Sequence, residues 1–162
     1  MSILANTPHR ELTETIIGGF YETGNELGPG YPERVNQRSL QIVLIDRGLD
    51  AKIDVPISVF FRGKLVGRFF ADLVVNDTVL IEVKTLATLD EAYAEKQILN
   101  YLRCAGGGIG FLVNFGKSVS FKRYAMGDLT NCLPRLREAR SATGGRRPTG
   151  AGGASCENER PE

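Results

Sequence analysis

No stretch of this 162-residue sequence approaches the ~18 consecutive apolar residues of a membrane-spanning helix. The N-terminus also lacks the apolar h-region of a secretory signal. Both absences predict a soluble, cytoplasmic protein with no membrane partner. Cysteine is scarce: Cys104, Cys132 and Cys156 are odd in number, far apart and free of any CxxC pairing. That excludes a disulfide scaffold and reads as free thiols in a reducing compartment. An excess of either charge is missing too, with 20 basic and 19 acidic residues for a net charge of +1. Such a balance neither advertises nor excludes a nucleic-acid partner, because a basic groove can sit inside a neutral total. The single histidine, His9, reads as a surface residue, and no internal repeat is present. What remains is ordinary: 42% hydrophobic and 24% charged residues describe a globular domain with enough material for one core.

The pattern of apolar residues divides the chain. Leu12, Ile16, Ile17, Phe20 and Leu27 recur at helical spacing and predict a first helix over residues 11–26, ended by Gly28-Pro29-Gly30. Pro32 suits the first turn of a second helix, with Glu33 complementing its dipole and Gly48 closing it. From Ala51 the period becomes two: Ile53, Val55, Ile57, Val59 and Phe61 alternate as a strand does. A turn at Arg62-Gly63-Lys64 leads to strands over 65–75 and 78–84, then a helix over 90–104 that Gly106-Gly107-Gly108 ends. Strands over 109–114 and 118–124 follow. The order α-α-β-β-β-α-β-β predicts an α/β fold, a mixed central sheet flanked by helices. Residues 1–127 form the expected domain, and Leu129, Leu133 and Leu136 suggest a short helical extension over 128–140. The Gly-, Arg- and Pro-rich tail, 141–162, has too few apolar residues to offset its ordering entropy and is expected to be disordered.

One hairpin carries the chemistry. Two apolar runs meet at Asn76-Asp77, and Asp72, Glu82 and Lys84 are set into them. Charged side chains are rarely buried unless paired or bound to a metal. Asp72 and Glu82 supply hard oxygen ligands of the kind Mg²⁺ takes. Lys84, two residues from Glu82 on one strand, leaves the same face and stands ready to position or activate a water, or to stabilise charge on a phosphorane. This predicts metal-assisted hydrolysis of a phosphodiester. Register is the condition. A two-residue turn at Asn76-Asp77 would set Asp72 opposite Ile81 and turn Glu82 to the other face. A three-residue turn or a bulge is required.

Asp72, followed after nine residues by Glu82-Val83-Lys84, resembles the signature of the PD-(D/E)XK nuclease superfamily. Glu26-Leu-Gly-Pro-Gly-Tyr-Pro-Glu33, Ala71-Asp-Leu-Val-Val75, Ile81-Glu-Val-Lys84, Gln97-Ile-Leu-Asn-Tyr-Leu102 and Val113-Asn-Phe-Gly116 together resemble its bacterial GxxExxY family, over roughly residues 10–125. The resemblance implies a restriction-endonuclease-like core acting on nucleic acid, DNA ahead of RNA, with Mg²⁺ or Mn²⁺. It implies Asp72 and Glu82 as metal ligands joined by Glu33, and Lys84 as the catalytic lysine. It also implies Gln97 as a catalytic residue and Gln97 with Tyr101 as substrate-positioning residues. Their i, i+4 spacing puts those two on one helical face. The family tyrosine three residues after Glu33 is Asn36 here.

Each of these residues has a structural reading beside the functional one. Asp72 reads also as a hairpin cap or as a partner of Lys84, Glu33 as a helix-start carboxylate, and Tyr101 as a core residue with its hydroxyl on the backbone. A catalytically degenerate relative, binding nucleic acid or a protein without cutting, is the alternative to a nuclease.

Overall fold

The computed structural model describes residues 8–86 and 91–143. Its elements are α1 (Arg10–Leu27), α2 (Glu33–Asp46), β1 (Ala51–Phe61), β2 (Lys64–Val75), β3 (Val79–Lys84), α3 (Glu91–Ala105), β4 (Gly108–Phe115), β5 (Val119–Met126) and α4 (Pro134–Thr143). The strands form one sheet in the order β1-β2-β3-β4-β5. Every pairing is antiparallel except β3 with β4, whose parallel pairing needs the crossover that α3 provides. The expected mixed α/β architecture is therefore present, with a ninth element, α4, at its end.

Neighbouring residues of β4 show how the layers form. All eight are buried, as a central strand covered on both faces requires. Phe111 meets the ring edge of Phe20 on α1 at 5.5 Å, with Phe121 of β5 close to both. Gly110 points the opposite way, to α3, where an added Cβ would lie 2.9 Å from Ile98 Cδ1. Thus α1 covers one face of the sheet and α3 the other. Glu82 is the parallel partner of Leu112 and Lys84 that of Asn114, so both charged side chains leave β3 on the α3 face.

Local differences from the sequence reading have plain causes. Pro32 is the N-cap of α2 rather than a residue of its first turn, so Glu33 becomes the first helical residue. The first β hairpin uses only Arg62 and Gly63 (φ 49° and 75°) as its turn, and Phe61 pairs directly with Lys64. Leu129 and Leu133 precede α4 rather than lying in it, and the helix continues to Thr143. The extension therefore ends three residues beyond 140. The rest of the tail, with Cys156, lies outside the described residues, as does Asp90 at the expected start of α3. Cys104 and Cys132 are free thiols. His9 is half-buried, its Nε2 2.8 Å from the Leu129 carbonyl, so it ties α1 to the C-terminal extension. Among the described residues no helix is long and apolar enough to cross a membrane.

Candidate active site

The register condition is met. Val75 pairs with Val79, Val74 with Leu80 and Leu73 with Ile81, leaving Asn76, Asp77 and Thr78 as a three-residue connection. Asn76 and Asp77 both adopt left-handed backbone (φ 50° and 49°), which these two residue types tolerate better than most. The Thr78 N–H then closes on the Val75 carbonyl at 3.0 Å. One residue further along each strand, Asp72 stands opposite Glu82 on the same face. The backbone ladder stops at Leu73–Ile81, and there Asp72 Oδ2 accepts the Val83 N–H at 2.8 Å. Asp72 is thus half a hairpin cap as well as a site carboxylate.

Glu82 is only 3% exposed. Its Oε1 accepts from Lys84 Nζ at 3.0 Å, while Oε2 is buried without a hydrogen-bond partner. Burial, reinforced by the negative charge of Asp72, raises the Glu82 carboxyl to about 8 despite the opposing pull of Lys84. Burial works against the Lys84 ammonium, but the adjacent Glu82, with Glu33 and Asp72 behind it, outweighs that and holds it above its ordinary value. Lys84 is ion-paired with Glu82 and lies within electrostatic reach of Asp72. Two carboxylates face each other with one ammonium, Lys84, beside them, and Glu82 keeps one buried oxygen without a hydrogen-bond partner. That arrangement fits a hard divalent ion, which commonly takes one or two carboxylates and completes its shell with water and phosphate oxygens. Among the described residues no group of three or more His, Cys, Asp or Glu side chains forms a metal cage by itself.

The other expected residues fall around this centre at different depths. Glu33, half-buried at the start of α2, is close enough for its charge to act on both Glu82 and Lys84. Gln97 and Tyr101 project from α3, and Gln97 Nε2 donates to the Tyr101 hydroxyl at 2.8 Å. The hydroxyl is therefore satisfied by a side chain and not by the backbone. Burial and the Glu82 charge raise the Tyr101 phenol, which places it within electrostatic reach of the acids. Gln97 Oε1 is a second buried oxygen without a partner. Asn36, three residues after Glu33, is buried, and its Nδ2 donates to the Tyr31 and Pro32 carbonyls at 3.1 and 3.2 Å. It secures the turn into α2 and leaves the acids and lysine undisturbed.

Two positioning residues, Gln37 and Asn114, received no role of their own from the sequence. Gln37, buried one turn after Glu33, donates to the Asp72 carbonyl at 2.7 Å and accepts from Arg34 at 2.9 Å. Arg34 in turn pairs with Asp54 at 2.6 Å, and Asp54 sits in β1 with φ 51°. The signal available was the i, i+4 relation of Gln37 to Glu33 on one helix face. Gln37→Leu removes the donor to the Asp72 carbonyl and the oxygen that shares Arg34 with Asp54. It is expected to cost about 1–3 kcal/mol in urea unfolding; an unchanged midpoint would show that neither group depends on it. Asn114 is the second residue: its amide clamps Leu86 through both N–H and C=O at 3.0 Å, fixing the chain just after Lys84. Gly116 must lack a side chain because an added Cβ would collide with the Leu86 carbonyl. The Val113–Gly116 motif thereby holds one wall of a cleft of about 350 Å³ that Tyr31, Thr85 and Lys117 also line.

Residues 10–124 match the family model described as PD-(D/E)XK nuclease superfamily, well over half of the chain. The chain belongs to the PD-(D/E)XK nuclease superfamily. The matched span contains Asp72, Glu82 and Lys84, the three charges that the hairpin gathers on the α3 face. A solved structure titled "Crystal structure of SSO0001" is similar over 84% of this chain and 68% of that one, at 21% identity and a TM-score of 0.49. No curated protein matches.

Proposed function

We propose that this protein is a metal-dependent nuclease that hydrolyses phosphodiester bonds of nucleic acid, DNA being the substrate to test first. The observation that carries the reading is the buried Glu82, its Oε2 unpartnered beside Asp72 and its Oε1 held by Lys84. Asp72 and Glu82 would hold Mg²⁺ or Mn²⁺, with Glu33 adding charge from the α2 terminus. The ion supplies Lewis-acid polarisation of the scissile phosphate. Lys84, kept as an ammonium by its carboxylate neighbours, orients the attacking water and stabilises charge building on the phosphorane; it does not serve as the base. Gln97 and Tyr101 position the substrate from α3. The motifs around Glu33, Gln97 and Asn114 support the finer GxxExxY assignment, and the structural duty of Asn36 means its replacement of tyrosine does not argue for a non-cutting protein.

The test is a cleavage assay on single- and double-stranded DNA and RNA with Mg²⁺ or Mn²⁺, comparing the parent with Asp72→Ala. Metal-dependent cleavage by the parent that Asp72→Ala abolishes is the expected result. No cleavage of any substrate would overturn the proposal in favour of a binding-only protein. Cleavage that survives the substitution belongs to a contaminant.

A further inference from the structure

The β1–β2 hairpin is longer than the sheet needs. Only Leu73–Val75 of β2 pair with β3, so the preceding residues of β2 pair with β1 alone, as a two-stranded ribbon running outward from Asp72. The ribbon exposes Phe60, Phe61, Leu65, Val66, Phe69 and Phe70, each 43–62% open to solvent. Apolar surface of this extent marks a place where something binds. Its charge has one sign: between Asp54 and Asp72 the sequence carries Arg62, Lys64 and Arg68 and no acidic residue. At the tip the Arg62 guanidinium lies over the Phe61 ring, 5.3 Å from its centroid. At the base the Phe69 ring meets Tyr101 at 5.3 Å, which joins the ribbon to the site helix.

We propose that this ribbon docks a single-stranded segment of the nucleic acid whose backbone is cut at Asp72, Glu82 and Lys84. The inference rests on the nuclease reading and adds the form of substrate. Exposed rings offer stacking surfaces that only unpaired bases can use, and the three cations meet phosphates without regard to sequence. From Phe70 to Lys64 the strand covers about 20 Å, the length of about six stacked nucleotides. A second copy of this chain is the weaker occupant. Pro56, the left-handed Asp54 and the register shift at Val59/Phe60 spoil the free edge of β1 for strand addition. Two such tips would also bring like charges together.

The experiment measures fluorescence anisotropy of a fluorescein-labelled oligodeoxynucleotide of about 12 nucleotides, twice that length, and of the matching duplex, with Ca²⁺ in place of Mg²⁺. Phe60→Ala and Phe61→Ala lie far from Asp72 and replace exposed side chains, so circular dichroism and the metal-induced thermal shift should match the parent. Each is expected to weaken the single strand at least about fivefold and leave duplex affinity unchanged. Arg62→Glu is expected to weaken both and to flatten their salt dependence. Single-strand affinity unmoved by the ring substitutions in a protein that cuts would overturn the inference and leave the nuclease reading standing. Substitutions that split a dimer without touching oligonucleotide affinity would overturn it in favour of self-association. A parent that neither binds nor cuts any nucleic acid removes both readings.

Discussion

Glu82→Gln is expected to abolish cleavage and, in metal-free solution above neutral pH, to make the protein more stable. The carboxyl of Glu82 is raised by burial, then by Asp72, from an ordinary 4.5 to about 8. Below the ordinary value it is protonated in both the folded and unfolded chains and contributes nothing to pH dependence. As pH rises, the unfolded chain ionises first, so unfolding releases a proton. Stability is therefore lost progressively up to the folded value of about 8 and then levels. A glutamine at 82 copies the neutral carboxyl and has no such slope, and its amide oxygen still accepts from Lys84, which keeps Asp72 and Glu33 as charge partners. Urea unfolding with EDTA should show the variant near the parent at acid pH and ahead of it by a few kcal/mol at mildly alkaline pH. Divalent metal competes with the same proton, so the thermal shift that Mg²⁺ or Mn²⁺ gives the parent should grow over this range and be lost in the variant. A parent whose metal-free stability is flat over the range would show that Glu82 does not carry a raised carboxyl in the folded protein.

The same residues show what a sequence can and cannot reveal. The hairpin and its charges were legible because alternation in β2 and β3 is strong and charges stand out against it. Which face Glu82 takes was not legible, because it turns on one residue. Thr78 joins the turn only because Asn76 and Asp77 both accept left-handed backbone. Gln37 was passed over since an uncharged polar residue on an amphipathic helix looks like surface, and its target is a backbone carbonyl 35 residues away. The ribbon is the converse. Phe60, Phe61, Leu65 and Val66 read as strand in the same way as Val55 and Ile57, yet the first four are exposed and the last two buried. Period fixes the strand; whether another layer covers a strand depends on where β3 and α3 stop, which is a property of the assembled sheet.

Lys84→Met keeps most of the aliphatic stem and removes the charge, and cleavage is expected to fall by about 10²–10³-fold in kcat. Two effects combine. The ammonium to which the proposed mechanism gives the water and the phosphorane charge is gone, and Glu82 loses the neighbour whose charge and hydrogen bond hold its carboxyl down. Glu82 then rises further, so metal has to displace a more tightly held proton. The metal-induced thermal shift should survive but move to more alkaline pH, and residual cleavage should rise with pH across a range where the parent has already levelled. Lys84→Arg retains a cation beside Glu82 and should restore the metal-binding pH range. Its planar fork cannot occupy the space of a compact ammonium, so kcat should recover only in part. Lys84→Met cutting at the parent's rate would reduce Lys84 to a counter-ion. Full recovery in Lys84→Arg would show that the site asks only for charge, with no demand on the geometry of the donor.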